Sequence, residues 1–163
     1  DHRKLEQLSA VKRTEKAGPD ALISRAGVID QQKTKTILLI DDDETVGQTI
    51  KMMLTVSGYE VLLVDNGIDA LQNFDSNKIG LVISDLFMPG MSGWEVIVEL
   101  RKKSQTVPIF IFTGYMDELL YDQRDRVKEL GINEILLKPI RMKQLIEKVT
   151  PYFNTSSAEA TIP

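Results

Sequence analysis

Five short apolar runs punctuate the chain, at 37-40, 61-64, 79-83, 108-112 and 134-137. Each is rich in Val, Ile, Leu or Phe, too short for an independent helix and apolar at consecutive positions, which is the pattern of strands buried on both faces of a parallel sheet. Between them the apolar spacing changes to that of helices. Val46, Ile50, Met53 and Leu54 follow an i, i+4, i+7, i+8 pattern that Ser57-Gly58 brings to an end. Ile68, Leu71 and Phe74 mark a second helix with Asn66 as its cap, and Ser92-Gly93-Trp94-Glu95 is a capping box opening a third, with Val96, Ile97 and Leu100 inward. Trp94 is expected to pack within that helix layer. Residues 117-130 predict a fourth helix with Leu120, Val127 and Leu130 on its apolar side and a solvated charged stretch from Asp122 to Lys128. Met142, Leu145, Ile146 and Val149 define a fifth, stopped before Pro151.

Strand and helix thus alternate five times, which predicts an α/β fold with a parallel sheet covered on both faces. Right-handed crossovers then bring the C-terminal ends of all strands to one edge, where such sheets bind ligands. Asp41-Asp42-Asp43, Asp85, Thr113 and Lys138 all fall at those ends. Asp85 is the most informative of them, because it follows Leu81-Val82-Ile83-Ser84 and precedes the turn-forming Met88-Pro89-Gly90. Two carboxylate sites at two strand ends predict a divalent-metal site with an aspartyl nucleophile.

The flanks differ from this core. Residues 2-16 are charged around a thin stripe of Leu5, Leu8 and Val11, Gly18-Pro19 breaks the pattern, and Asp20 to Ile29 has the length of one short helix before a polar linker. The expected organisation is a helical and linker extension over 1-35, a domain over 36-153 and a flexible tail over 154-163. His2, the sole histidine, lies in the extension as a solvated residue, which makes the chain a poor candidate for a kinase that phosphorylates itself on histidine.

Composition narrows the classes further. A net charge of -4 and a pI of about 5.1 give no electrostatic footprint for direct nucleic-acid binding. The absence of cysteine excludes disulfides and thiolate metal sites. No apolar run reaches the length of a membrane span, and no signal peptide opens the sequence, so a cytoplasmic protein without membrane insertion is the expectation.

The motifs Ile40-Asp41-Asp42-Asp43, Ser84-Asp85-Leu86-Phe87-Met88-Pro89-Gly90, Phe112-Thr113-Gly114 and Leu137-Lys138-Pro139 stand in an order and spacing that resemble a response-regulator receiver domain, the phosphoacceptor of two-component signalling. The resemblance covers 36-153. It implies a doubly wound (βα)5 fold with strand order 2-1-3-4-5. It implies that Asp85 attacks the phosphohistidine of a sensor histidine kinase or phosphotransfer protein, and that Asp42, Asp85 and the backbone carbonyl of Phe87 bind Mg²⁺ directly, with Asp41 acting mainly through water. Lys138 would pair with one phosphoryl oxygen and the Thr113 hydroxyl with another, while Pro139 fits a cis peptide bond. Asp43 is read as the cap of the first helix.

The resemblance also implies a switch in which Thr113 moves toward the phosphoryl group and the fourth strand, fourth helix and fifth helix rearrange. The aromatic residue usual three positions before the lysine is here Ile135, which is stiff and has no ring, so threonine-aromatic coupling is not carried over. Phe87 and Tyr115 occupy the positions that flank the path of the hydrolysing water in the family, and two rings there imply a long-lived aspartyl-phosphate.

Residues 154-163 leave no room for a DNA-binding or enzymatic output domain, so output is expected through protein contact or on a portion outside this chain. Either a stand-alone receiver docks a partner, or pairs with itself, through the fourth-helix to fifth-helix face, or this is the receiver of a hybrid kinase. The stretch His2-Arg3-Lys4-Leu5-Glu6-Gln7-Leu8 is similar to the helical linker of such kinases. Two alternatives stand beside this reading. Asp41-Asp42-Asp43-Glu44-Thr45 is similar to the signature of haloacid-dehalogenase-type phosphatases, with Asp41 as nucleophile and Asp43 as acid-base, but beyond Lys138 only Glu147 and Glu159 remain for the late acidic pair which that family needs. The other alternative is a degenerate receiver used only as a binding module.

Overall fold

The structure, a computed structural model, describes residues 35-115 and 121-153. The expectations for the N-terminal extension with His2, for the tail over 154-163 and for Leu120 in the fourth helix lie outside the described residues.

All five apolar runs form strands: β1 (Thr36–Ile40), β2 (Val61–Val64), β3 (Ile79–Ser84), β4 (Ile109–Thr113) and β5 (Glu134–Leu137). They pair in parallel in the order β2-β1-β3-β4-β5, as expected. The helices between them are α1 (Glu44–Val56), α2 (Gly67–Asn73), α3 (Gly93–Lys103), α4 (Arg124–Glu129) and α5 (Met142–Val149).

The consecutive apolar positions of each strand divide between two cores, because successive side chains in a strand point to opposite faces. Leu38, Ile40, Val82, Ile109 and Ile111 face one side and pack with Val96, Ile97 and Leu100 of α3. Ile37, Leu39, Leu81, Ile83, Phe110 and Phe112 face the other and pack with Ile50 and Leu54 of α1 and Leu145 and Val149 of α5. Burying each such side chain contributes about 1.5-3 kcal/mol, so the central strands form the most strongly held part of the molecule.

The helix boundaries follow their caps. Asn66 accepts a hydrogen bond from Asp69 N–H, and Ser92 and Glu95 form the capping box. Asp43 accepts one from Val46 N–H at 3.1 Å, which makes it the cap of α1. Ser57-Gly58 ends α1, with the N–H groups of Gly58 and Tyr59 bonded back to Thr55 and Leu54. Trp94 packs against the α3-side core and carries the Arg126 guanidinium 5.2 Å from its ring centre.

Three expectations are corrected. Ile68 and Met142 are exposed rather than inward, because both stand in the first turn of their helices, where a side chain overhangs the edge of the sheet. The fourth helix is shorter than 117-130. Its regular part is Arg124–Glu129, and Gln123 interrupts the helical conformation that Tyr121 and Asp122 adopt. Finally, the chain does not stop helically at Pro151 but turns through a 3-10 segment, Thr150–Tyr152, which accepts proline in its first turn.

Candidate functional site

Strand order decides which residues meet. β1 and β3 are neighbours at the centre of the sheet, with Ile40 opposite Ser84, so the residues that follow them emerge side by side. The Asp85 N–H donates to the Ile40 carbonyl at 2.9 Å, and the Asp41 N–H donates to Val64 at 3.1 Å. Both main chains are thereby fixed at the point where their carboxylates leave the sheet.

Asp41 is 2% exposed and Asp85 7%, whereas Asp42 faces solvent. One oxygen from each of the three lies within 4.8 Å of the others. Asp85 Oδ1 accepts hydrogen bonds from the N–H groups of Leu86 (2.8 Å) and Phe87 (3.4 Å), which leaves Oδ2 as its outward oxygen. Asp41 Oδ1 accepts from Asp43 N–H at 2.9 Å.

Lys138, at the end of β5, reaches across the β4 terminus to this cluster. Its Nζ lies 2.8 Å from Asp41 Oδ2 and 3.2 Å from Asp85 Oδ2. Its backbone N–H donates to the Thr113 carbonyl at 2.8 Å, and the Lys138-Pro139 bond is cis, as expected. Thr113 is fully buried at the end of β4, where its hydroxyl oxygen accepts from Tyr115 N–H at 3.2 Å. The predicted residues Asp41, Asp42, Asp85, Thr113 and Lys138 therefore stand at one edge of the sheet, on the ends of four different elements of the pattern, and the carboxylates and the ammonium are in direct contact.

The electrostatics follow from burial. Removal from water raises the Asp85 pKa above the ordinary carboxylate value, opposed by the Lys138 charge and reinforced by the negative charge of Asp41. Burial alone would lower the Lys138 pKa, but its hydrogen bond to Asp41 and the charges of Asp41 and Asp85 more than offset that, and it is raised. Three carboxylates around one ammonium leave excess negative charge in a partly dry site. Hard oxygen donors with such an excess, one of them open to solvent, fit a small divalent cation that keeps several of its waters.

Two features were not legible in the motifs. Gly93 packs so closely on the Asp85 carbonyl and the Leu86 Cα that a Cβ there would collide with both. Its sequence signal is a glycine directly after a helix cap, where nearly any other residue forms helix better. The Phe87 and Tyr115 rings, each about half exposed, meet edge to face with centroids 5.0 Å apart, which joins the loop after β3 to the loop after β4 beside the acceptor. Asp43, needed as the acid-base group of the phosphatase alternative, is instead spent on capping α1, and nothing in the site supports that alternative.

The model of the response regulator receiver domain family matches residues 37-150. Among solved structures, a response regulator receiver domain from Clostridium thermocellum is 31% identical, covers 76% of this chain and 98% of its own, and superposes with a TM-score of 0.67. The response regulator TrrA of Thermotoga maritima, solved in complex with Mg²⁺ and BeF, is 35% identical over 72% of this chain and 98% of its own, with a TM-score of 0.62. The sensory transduction protein RegX3 of Mycolicibacterium smegmatis is 31% identical over 116 residues, 70% of this chain and 48% of that protein. The chain spans about half the length of the curated relatives it matches. Among the described residues no helix is long and apolar enough to cross a membrane. With its strand order, its acidic cluster and its lysine all in the arrangement of these relatives, the chain belongs to the response regulator receiver domain family of two-component signalling.

Proposed function

We propose that Asp85 accepts a phosphoryl group from the phosphohistidine of a sensor kinase or phosphotransfer protein, and that this chain passes the signal on through protein contacts. The observation that carries the assignment to Asp85 is the division of labour within its carboxylate. Oδ1 is held by two backbone N–H groups, and Oδ2 faces the Lys138 ammonium at 3.2 Å. A fixed oxygen orients the group, and the other forms the O–P bond as the P–N bond to the imidazole breaks.

A carboxylate is a weak nucleophile, so the site contributes positioning and charge neutralisation. Asp42, Asp85 and the Phe87 carbonyl would hold Mg²⁺, with Asp41 acting mainly through water, and the ion would supply positive charge to the transferred oxygens. Lys138 pairs with one phosphoryl oxygen and the Thr113 hydroxyl with another. Movement of Thr113 then repositions β4, α4 and α5, a shift between two pre-existing arrangements. A groove of about 350 Å³ opens next to the ammonium, lined by Val46, Ile50, Met53, Phe112 and Pro139, which offers a phosphodonor helix an apolar seat within reach of Asp85. The Phe87–Tyr115 contact supports a slow loss of the phosphoryl group, because two touching rings narrow the approach of water.

The test is intact mass after incubation with acetyl phosphate and Mg²⁺, beside Asp85→Asn and an EDTA control. Gain of one phosphoryl group, lost in the variant and with EDTA, is the expected result. No gain would favour a binding module without acceptor chemistry, and a gain that survives in Asp85→Asn would move the nucleophile to Asp41.

A further inference from the structure

α4 is held very differently at its two ends. It is six residues long, none of them buried, and its first residue has no side-chain cap. Its C-terminal end, by contrast, is closed twice. Gly131 takes a positive φ of 64°, which lets its N–H bond to Lys128 and the Ile132 N–H bond to Val127. The carbonyls of Leu130 and Gly131 are then received by one guanidinium. Arg101 Nε donates to Leu130 at 2.7 Å and Nη2 to Gly131 at 3.1 Å.

The same guanidinium holds a second segment. Arg101 Nη1 donates to the Val107 carbonyl at 2.7 Å and to Ser104 at 3.3 Å, both in the turn that leads from α3 into β4. The negative ends of the α3 and α4 dipoles converge on this one cation. Burial pushes its pKa down, yet arginine remains charged under any ordinary condition. Only the planar fork has donors in enough directions for four carbonyls, and lysine, a point charge on a flexible stem, does not.

At the acceptor edge the coupling is loose. Tyr115 N–H follows the Thr113 hydroxyl, so a displacement of Thr113 pulls on the chain that leads toward the start of α4. The remaining lateral contact is that of Arg126 on the ring of Trp94, the single tryptophan of the chain.

We propose that Arg101 is a positioning residue that makes the C-terminal end of α4 a fixed pivot, so that α4 answers phosphorylation by swinging about Leu130 and Gly131 while the Arg126–Trp94 contact opens or closes. The proposal rests on the phosphoacceptor reading of Asp85 and adds where the movement is anchored.

The experiment compares amide hydrogen exchange and Trp94 fluorescence in the full chain, with and without acetyl phosphate and Mg²⁺, for wild type, Arg101→Lys and Arg126→Gln. In the wild type, exchange at Val127 is expected to change by about threefold or more on phosphorylation while Ile132 stays unchanged, and Trp94 emission shifts. In Arg101→Lys phosphoryl uptake persists but Ile132 now changes together with Val127. In Arg126→Gln the exchange gradient persists and the fluorescence shift is lost. An even response along α4 in the wild type, or an unaltered gradient in Arg101→Lys, overturns the pivot. Intact mass on the same samples separates the two failures: uptake with an even response overturns the pivot alone, and absence of uptake overturns it through the receiver reading.

Discussion

The Lys138 ammonium lies 2.8 Å from Asp41 Oδ2, closer than to the acceptor Asp85, and the Asp41 side chain is almost wholly buried. Lys138 is thus the counterion of the acidic cluster. Removing it strands two buried carboxylates, which costs about 3-5 kcal/mol when a buried pair is broken. Lys138→Met should therefore unfold at markedly lower urea concentration, and millimolar Mg²⁺ should restore part of the loss by supplying the missing charge. Urea titrations with and without Mg²⁺ check this; equal losses in both would show that no cation replaces the lysine.

The raised pKa of Asp85 has a definite sign. A carboxyl whose folded value lies above its unfolded value binds more protons when folded, so its contribution is most favourable below the unfolded value and declines as pH rises through the folded one. At neutral pH its charge is a burden on the metal-free fold. Asp85→Asn should raise the thermal midpoint in EDTA by roughly 2-5 °C, on the order of 1 kcal/mol for a domain of this size, and the gain should shrink toward acid pH. Lys138 works in the opposite part of the scale. Its raised value gives stability that is complete below the unfolded value and lost as pH rises through the folded one, in the strongly alkaline range. Thermal melts across pH test both.

Gly93 keeps the Asp85 backbone in place by having no side chain. Gly93→Ala forces apart α3 and the segment Asp85-Leu86. The expected cost is about 1-3 kcal/mol, as for other overpacked sites, with phosphoryl uptake falling by more than the fraction unfolded explains. Gly114→Ala, where a Cβ meets nothing within 4 Å, is the control.

The contact between Phe87 and Tyr115 predicts the lifetime of the phosphorylated state. Phe87→Ala removes one ring and leaves the other half exposed, so the aspartyl-phosphate should hydrolyse several-fold faster. Following the phosphorylated mass after removal of the donor measures it. A variant that is no faster than wild type would end the shielding idea.

The strands were legible because a parallel sheet demands apolar residues on both faces, and few other elements produce four or five in succession. The capping of α1 by Asp43 and of α3 by Ser92 was legible because caps are local. Ile68 and Met142 misled, since periodicity says which way a residue points but not that a first turn projects past the sheet. The Lys138–Asp41 contact joins residues 97 positions apart, and only strand order brings them together. The Arg101 fork left no trace in the sequence, because all its acceptors are backbone carbonyls, which every residue possesses.

That span of 97 positions bears on how the molecule comes into being. Asp41 follows the first strand and Lys138 the last, so their contact closes almost the whole domain into one loop, an entropic cost repaid only once the intervening strands are paired. A partly synthesised or partly folded chain has its aspartates but not its lysine, and holds no competent acceptor. Readiness to receive the signal is in this way a certificate of complete folding, issued by the last strand to be made.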